Sequence, residues 1–80
     1  MVRVRLFAQA ATLAGTDNCQ WPIEEAQGAP VFWHWLLGRH PSLSDLRNVC
    51  RLARNGDYLQ DGELIAPGDE LAVIPPVSGG

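Results

Sequence analysis

The sequence contains no lysine, and its positive charge comes from few residues. Its six basic residues are arginines dispersed between Arg3 and Arg54, and nine acidic residues bring the net charge to −3. A protein whose main partner is nucleic acid needs clustered Lys and Arg to neutralise phosphates. Because neither the sign nor the spacing of the charges provides this, we expect no nucleic acid partner.

Long apolar runs are also missing. No stretch reaches the roughly 18 residues needed to span a bilayer, and the first residues lack the apolar region of a signal peptide. We therefore expect a cytoplasmic protein that has no membrane partner.

Cysteine and histidine occur only twice each. Cys19 and Cys50 form no CxxC motif, and His34 and His40 have neither metal-ligand spacing nor a nearby nucleophile. We therefore predict no metal site, two buried and reduced core cysteines, and surface or capping roles for the histidines. A disulfide or a catalytic thiol is the less favoured alternative for the cysteines.

Apolar residues, by contrast, make up 46% of the 80 residues, which is typical of one small globular domain. Period-two alternation predicts strands, and Gly-containing turns predict hairpins. The predicted strands lie in MVRVRLFA (1–8), NCQWPI (18–23), NVCRLARNGDYL (48–59, turning at Asn55-Gly56) and LAVIP (71–75). A short helix-prone piece ends at Gly15, a short return strand begins at Tyr58 and Leu59, and further turns are predicted at Asp61-Gly62 and 67–69.

One segment has a helical period instead. Pro30 suits the first turn of a helix, Gly38 is predicted to end it, and Pro41 is expected to prevent its continuation. The stripe expected to face the core leaves out Trp33 and Leu37 and consists of Val31, Phe32, Trp35 and Leu36. We therefore expect one tryptophan to lie half exposed over neighbouring chain, or else to contact a partner.

The predicted element order is β-β-α-β-(short β)-β, in which the first and last strands are apolar enough to be central. Two hairpins joined by a crossover helix let these strands pair in parallel, with the helix across one face. This predicts an α+β fold over residues 1–74, the β-grasp or ubiquitin-like roll, with a mixed sheet of four to five strands. Leu6, Leu71 and Val73 should be buried, and Phe7 and Leu59 should lie on the opposite sheet face.

Residues 75–80, PPVSGG, are predicted to form an extended tail. Pro75 and Pro76 restrict the backbone to extended conformations, while Gly79 and Gly80 are narrow enough to enter a confined cleft. The Gly80 carboxylate is a poor electrophile until a partner enzyme that uses ATP adenylates it. We therefore expect this chain to supply the reacting group and a partner to perform the catalysis.

These segments resemble the small subunit of molybdopterin synthase, the MoaD family of ubiquitin-like sulfur carriers. The resemblance spans essentially the whole chain and is most specific in the last fourteen residues. Related thiamine-pathway carriers share the Gly-Gly but usually lack Pro-Pro-Val-Ser/Thr before it. The similar segments are VRLFAQ (4–9), LAGTD (13–17), RHPSL (39–43), RNG (54–56) and PGDELAVIPPVSGG (67–80).

The resemblance implies that an E1-like adenylyltransferase adenylates the Gly80 carboxylate, which then becomes a thiocarboxylate. The tail would insert into the large synthase subunit and pass sulfur to cyclic pyranopterin monophosphate, two transfers completing the molybdopterin dithiolene. The implied assembly is a heterotetramer of two small and two large subunits. The chain itself would bind no cofactor and have no active site of its own. The implied partner-binding residues are Phe7, Pro75, Pro76, Val77, Ser78 and Gly79.

The chain departs from the family pattern at one place. The family often carries Arg-Glu where this sequence has Ala11 and Thr12, and the helix VFWHWLL is more aromatic than usual. The same terminal motif also serves sulfur carriers of other pathways, such as thiamine synthesis or tRNA thiolation, and ubiquitin-like protein modifiers. These alternatives stay open, as does a β-grasp binding module with an inert tail.

Overall fold

The structure is a computed structural model and describes residues 1–76. The predictions made for Val77, Ser78, Gly79 and Gly80 lie outside the described residues. The helices and strands follow one another in the order β1 (Val2–Leu6), α1 (Ala8–Ala14), β2 (Asn18–Trp21), β3 (Gln27–Gly28), α2 (Ala29–Arg39), a 3-10 helix (Pro41–Leu46), β4 (Arg51–Arg54), β5 (Asp57–Tyr58), β6 (Leu64–Ile65) and β7 (Glu70–Ile74).

The main sheet has five strands in the order β2-β1-β7-β4-β5. Its central pair, β1 and β7, is parallel, with Arg3 opposite Glu70 and Leu6 opposite Val73. The remaining pairs, β1–β2, β4–β7 and β4–β5, are antiparallel. The predicted β-grasp fold is therefore confirmed, and the first and last strands occupy the centre of the sheet as expected.

Alternation along the central strands decides which side chains form the core. Val4 and Leu6 in β1, and Leu71 and Val73 in β7, are at most 2% exposed. Each such side chain contributes about 1.5–3 kcal/mol when it is removed from water. The predicted burial of Leu6, Leu71 and Val73 is confirmed.

The buried surface of helix α2 differs from the predicted stripe and includes a second side of the helix. Trp33, expected outside the stripe, is 6% exposed, whereas Val31, expected to face the core, is 47% exposed. The prediction is wrong for these two residues because chain segments beyond the sheet centre cover a second side of the helix. On that side Trp33 lines a groove together with Leu52 and Leu59.

Trp35 is the tryptophan that stays partly exposed, as was expected for one of the pair in this helix. Its ring centroid lies 6.0 Å from that of Trp21 and 6.2 Å from that of Phe32. The guanidinium carbon of Arg39 lies 5.6 Å from the Trp35 ring centroid. Trp35 therefore closes an aromatic cluster at the edge of the core.

Helix α2 continues through Gly38, which was predicted to end it, as far as Arg39. The backbone N–H of His40 donates to the Leu36 carbonyl at 2.8 Å. His40 itself has φ −132° and ψ 77°, because the residue before a proline is disfavoured in the helical region. Pro41 therefore sets the end of the helix, and His40 occupies a capping position.

The Asn55-Gly56 turn has φ values of 52° and 91°, as the predicted hairpin between β4 and β5 requires. Asn55 Nδ2 donates to Asp69 Oδ1 at 3.0 Å, and the Glu70 N–H donates to Asn55 Oδ1 at 2.9 Å. The Ala66 N–H donates to Asp69 Oδ2 at 2.8 Å. This bond, followed by the one from Asn55, lowers the pKa of the Asp69 carboxyl. The network ties the hairpin to the turn that precedes β7.

Three elements were not predicted from the sequence: the 3-10 helix, β3 and β6. The 3-10 helix after Pro41 buries Leu43 against the core. Strands β3 and β6 form a second, two-stranded sheet in which Gln27 lies opposite Ile65 and Gly28 opposite Leu64. Both strands are two residues long, which is too short for alternation to be recognised.

We expect Val73→Asp to unfold the domain. The position is 1% exposed, and an unpaired buried charge costs about 3–5 kcal/mol, whereas a domain of this size has only about 4–12 kcal/mol of stability. Urea unfolding followed by circular dichroism measures the loss.

The matched control is Ala72→Asp, because Ala72 points to the other side of the same strand and pairs with Arg5. This carboxylate stays in water, so the control is expected to remain folded. A Val73→Asp protein that unfolds at the same urea concentration as the parent would contradict the burial assigned to β7.

Candidate functional site

The candidate site begins where β7 leaves the middle of the sheet. Because β1 and β7 are parallel, both strands end at the same edge, and the Phe7 N–H donates to the Val73 carbonyl at 3.2 Å. Ile74, the last residue of β7, lies opposite Arg51 of β4. Pro75 follows and is buried, and Pro76 is exposed. The chain therefore reaches the surface between β1 and β4, next to Phe7.

The two prolines prevent β7 from extending its ladder. Neither has a backbone N–H to donate, and each disfavours helical backbone in the residue before it. The structure thus brings Phe7, Pro75 and Pro76 to one edge of the sheet. The roles predicted for Val77, Ser78, Gly79 and Gly80 concern residues beyond the described range and stay predictions.

Phe7 is 38% exposed and continues the outward alternation of Arg3 and Arg5. The guanidinium carbon of Arg5 lies 5.2 Å from the centroid of the Phe7 ring. Phe7 therefore lies on the outer sheet face, away from helix α2, as predicted.

Leu59, expected on the same face as Phe7, packs against the core instead. Its N–H donates to the Leu52 carbonyl at 2.8 Å, so the chain still follows β4 at this point. The preceding residue, Tyr58, faces outward, with the guanidinium carbon of Arg51 3.8 Å from its ring centroid. The prediction for Leu59 is wrong because β5 places Tyr58, one residue earlier, on the outer face.

Neither arginine–aromatic pair was predicted from the sequence. Arg5 and Phe7 are two residues apart in extended backbone, so alternation predicts that their side chains lie on the same side. The pairing of Arg51 with Tyr58 depends on the register of the β4–β5 hairpin, in which Ala53 lies opposite Tyr58. The Asn55-Gly56 turn predicts the hairpin, but it does not by itself show which side chains of the two strands lie together.

The thiols show no sign of activation. Cys19 and Cys50 are free thiols that pack against the core, as expected, but they are half-buried rather than buried. Desolvation raises the pKa of both thiols, and at Cys19 the charge of Arg39 opposes this only partly. A raised pKa leaves less thiolate, which is the nucleophilic form.

Residues 1–76 contain no group of three or more His, Cys, Asp or Glu side chains that could hold a metal ion. The same residues include no helix long and apolar enough to cross a membrane.

A surface groove of about 890 Å³ lies beside the start of helix α2 and includes Trp33, Arg51 and Glu63 in its lining. The Glu63 carboxylate accepts hydrogen bonds from the Gln60 N–H at 2.7 Å and from Arg54 at 3.0 Å. These contacts, with the Gln60 bond first, lower the pKa of the Glu63 carboxyl. Of the two acids in this lining, Asp61 and Glu63, the second is therefore engaged in local structure. The edge at Phe7, Pro75 and Pro76, where the chain leaves the sheet, is the stronger candidate site.

The fold and the course of β7 define the class of protein, a ubiquitin-like β-grasp protein. The chain belongs to the ThiS family, whose model matches residues 4–80. It is 37% identical over 82 residues to the molybdopterin synthase sulfur carrier subunit of Homo sapiens, covering 99% of this chain and 93% of the human protein. The resemblance to molybdopterin synthase small subunits is thereby confirmed.

Solved structures agree with this assignment. The crystal structure of SAMP1, a small archaeal modifier protein from Haloferax volcanii, superposes with a TM-score of 0.85 at 33% identity, covering 99% of this chain and 98% of that one. A chain from the complex of subunits 1 and 2 of molybdopterin-converting factor from Helicobacter pylori superposes with a TM-score of 0.68, covering 99% of this chain and 97% of that one. At 22% identity, the second match shows the fold alone.

We expect Cys19 and Cys50 to react with a disulfide reagent more slowly than glutathione does at pH 8. The raised pKa of each thiol reduces its thiolate fraction, and partial burial restricts access. Single Cys→Ala variants show which reaction rate belongs to which cysteine. Unfolding in urea should raise both rates to that of a free thiol. A thiol that reacts faster than glutathione in the folded protein would identify an activated cysteine and contradict this assignment.

Proposed function

We propose that this chain is the sulfur carrier subunit of a molybdopterin synthase and carries sulfur on the Gly80 carboxyl group. The observation that carries the proposal is the 37% identity over 99% of the chain to the human sulfur carrier subunit. The course of the chain supports it, since the central strand β7 runs directly into Pro75 and Pro76 at a surface edge.

The chemistry begins with activation of the carboxylate. An E1-like adenylyltransferase transfers AMP from ATP to the Gly80 carboxylate and releases pyrophosphate, which turns a poor electrophile into a good one. A persulfide sulfur displaces AMP, and a thiol then releases the thiocarboxylate by reducing the sulfur–sulfur bond. The thiocarboxylate is ionised at neutral pH and is a good nucleophile. This chain supplies the acyl group, and its partners supply the catalysis.

Delivery of the sulfur is the second step of the proposed chemistry. The segment from Pro75 to Gly80 enters the large synthase subunit, where the thiocarboxylate is shielded from water, and the outer sheet face beside Phe7 docks on that subunit. Sulfur passes to cyclic pyranopterin monophosphate, and two transfers complete the dithiolene of molybdopterin. The assembly proposed is a heterotetramer of two small and two large subunits, in which this chain binds no cofactor.

A second candidate function is protein modification. The observation in its favour is the TM-score of 0.85 to the Haloferax volcanii modifier. An adenylated Gly80 attacked by a lysine amine of a target protein would give an amide conjugate in place of a thiocarboxylate. Lysine conjugates of this chain, recovered by mass spectrometry from its own cells, would favour this function.

Adding one residue after Gly80 should abolish sulfur loading and leave stability unchanged. The extended chain has no α-carboxylate at the position that the activating enzyme adenylates. The assay is ATP-dependent incorporation of labelled sulfur from a persulfide donor, read by intact mass as one oxygen replaced by sulfur. Loading of the extended chain at the parent's rate would mean that Gly80 is not the carrier.

Two further changes at the terminus separate loading from insertion. Deletion of Gly80 should give a folded, partner-binding and inactive protein, because only the reacting group is lost. Gly79→Val should keep most docking on the sheet face but hinder entry of the tail, since a branched Cβ widens and stiffens the backbone. A Gly79→Val chain that transfers sulfur as fast as the parent would contradict a narrow channel.

Phe7→Glu should weaken association with the large subunit about tenfold while the melting temperature stays unchanged. The charge replaces an apolar ring on the proposed docking face, at a position that is already 38% exposed. Val31→Glu is the matched control, because Val31 is an exposed apolar residue on helix α2. Equal affinities of Phe7→Glu and the control would remove the outer sheet face from the interface.

A further inference from the structure

The outer face of the main sheet is basic, although the protein as a whole is acidic. Arg3 and Arg5 of β1 and Arg51 of β4 point outward, and Glu70 of β7 is the acidic strand residue beside them. Three of the chain's six arginines thus share this face with one of its nine acidic residues, whereas the chain carries a net charge of −3. The positive charge is concentrated on the face that the proposed function assigns to docking.

Two of these arginines are held by aromatic rings. The guanidinium carbons lie 5.2 Å from the Phe7 ring centroid at Arg5 and 3.8 Å from the Tyr58 ring centroid at Arg51. A guanidinium stacked on a ring keeps N–H donors free for a carboxylate and loses less side-chain entropy on binding. Arg5 and Arg51 are themselves exposed and therefore accessible.

The ion pairs of residues 1–76 leave these two arginines available. Arg3 lies 3.6 Å from the Glu70 carboxylate, and Arg54 lies 3.0 Å from that of Glu63. Neither Arg5 nor Arg51 forms such a pair within the described part of the chain. Within this part of the chain neither charge is paired with a carboxylate, and each guanidinium lies over an aromatic ring.

The sheet fixes the spacing of the two arginine sites. Arg5 lies opposite Ala72 of β7, and Arg51 lies opposite Ile74 of the same strand. The sites are thus two strands apart and offset by two residues, which places their Cα atoms about 12 Å apart. Between them, the half-buried side chains of Ala72 and Ile74 form an apolar floor.

We propose that Arg5 and Arg51 recognise two carboxylates of the large synthase subunit, spaced about 12 Å apart on either side of an apolar contact with Ala72 and Ile74. The inference rests on the proposed function and adds the chemistry of the partner surface. Each guanidinium can donate two parallel hydrogen bonds to one carboxylate. A basic partner would be repelled at both sites, so the pair also selects against wrong partners.

The arrangement fits an acidic protein surface better than the other polyanions. Nucleic acid recognition needs a continuous track of cations along the phosphates, and membrane binding needs a larger basic cluster. Here two separated cations flank an apolar floor on a protein of net negative charge. Such a combination matches the apolar centre and polar rim of a protein interface.

The experiment measures the affinity of the full chain for its cognate large subunit by titration calorimetry at three salt concentrations. Arg5→Gln and Arg51→Gln should each weaken binding about tenfold and reduce its salt dependence. Arg47→Gln is the matched control, because Arg47 is exposed but follows the 3-10 helix outside the sheet, and it should change affinity less than about twofold. The affinity of Arg51→Lys should lie between those of the parent and Arg51→Gln, because lysine keeps the charge but loses the planar guanidinium.

Thermal unfolding of each variant checks that the fold is intact, and synthase activity of preloaded chains distinguishes docking from chemistry. The concentration giving half-maximal activity should rise about tenfold in each Gln variant, with the maximal rate unchanged. Unchanged affinity and salt dependence in both variants, or a loss that is the same at every salt concentration, would overturn the inference alone. Failure of the parent chain itself to bind the large subunit would overturn the proposed function together with it.

Discussion

The parallel pairing of β1 with β7 is the contact on which the rest of the structure depends. It joins the two ends of the folded domain, with Val4 opposite Leu71, and buries the alternate side chains of both strands under helix α2. The same pairing brings Phe7 beside the point where Pro75 leaves the sheet. One set of hydrogen bonds thus closes the core and positions the segment that the proposed chemistry uses.

Features with a local cause could be predicted from the sequence. The alternation in β1 and β7, the Asn55-Gly56 hairpin and the parallel central pair all follow from periodicity, turn chemistry and connection rules. The tail could be singled out because Pro-Pro followed by Gly-Gly has few structural uses. These features sufficed to predict the fold and the edge of the sheet where the candidate site lies.

Features that depend on contacts with segments far apart in the sequence could not be predicted in this way. Trp33 is buried because segments far along the chain cover a second side of helix α2, and the helical period carries no information about them. Strands β3 and β6 are two residues long and pair over a large sequence separation. The stack of Arg51 on Tyr58 needs the hairpin register as well as its existence.

The topology also affects how the chain becomes folded. The strand that completes the centre of the sheet, β7, is the last one described, and its parallel partner is the first. A product of premature termination or proteolysis that lacks residues 70–74 would leave β1 and β4 without their shared neighbour and the core open to water. Such long-range pairing slows folding. Incomplete chains would therefore present no docking face, and only chains able to offer their terminal segment would compete for partners.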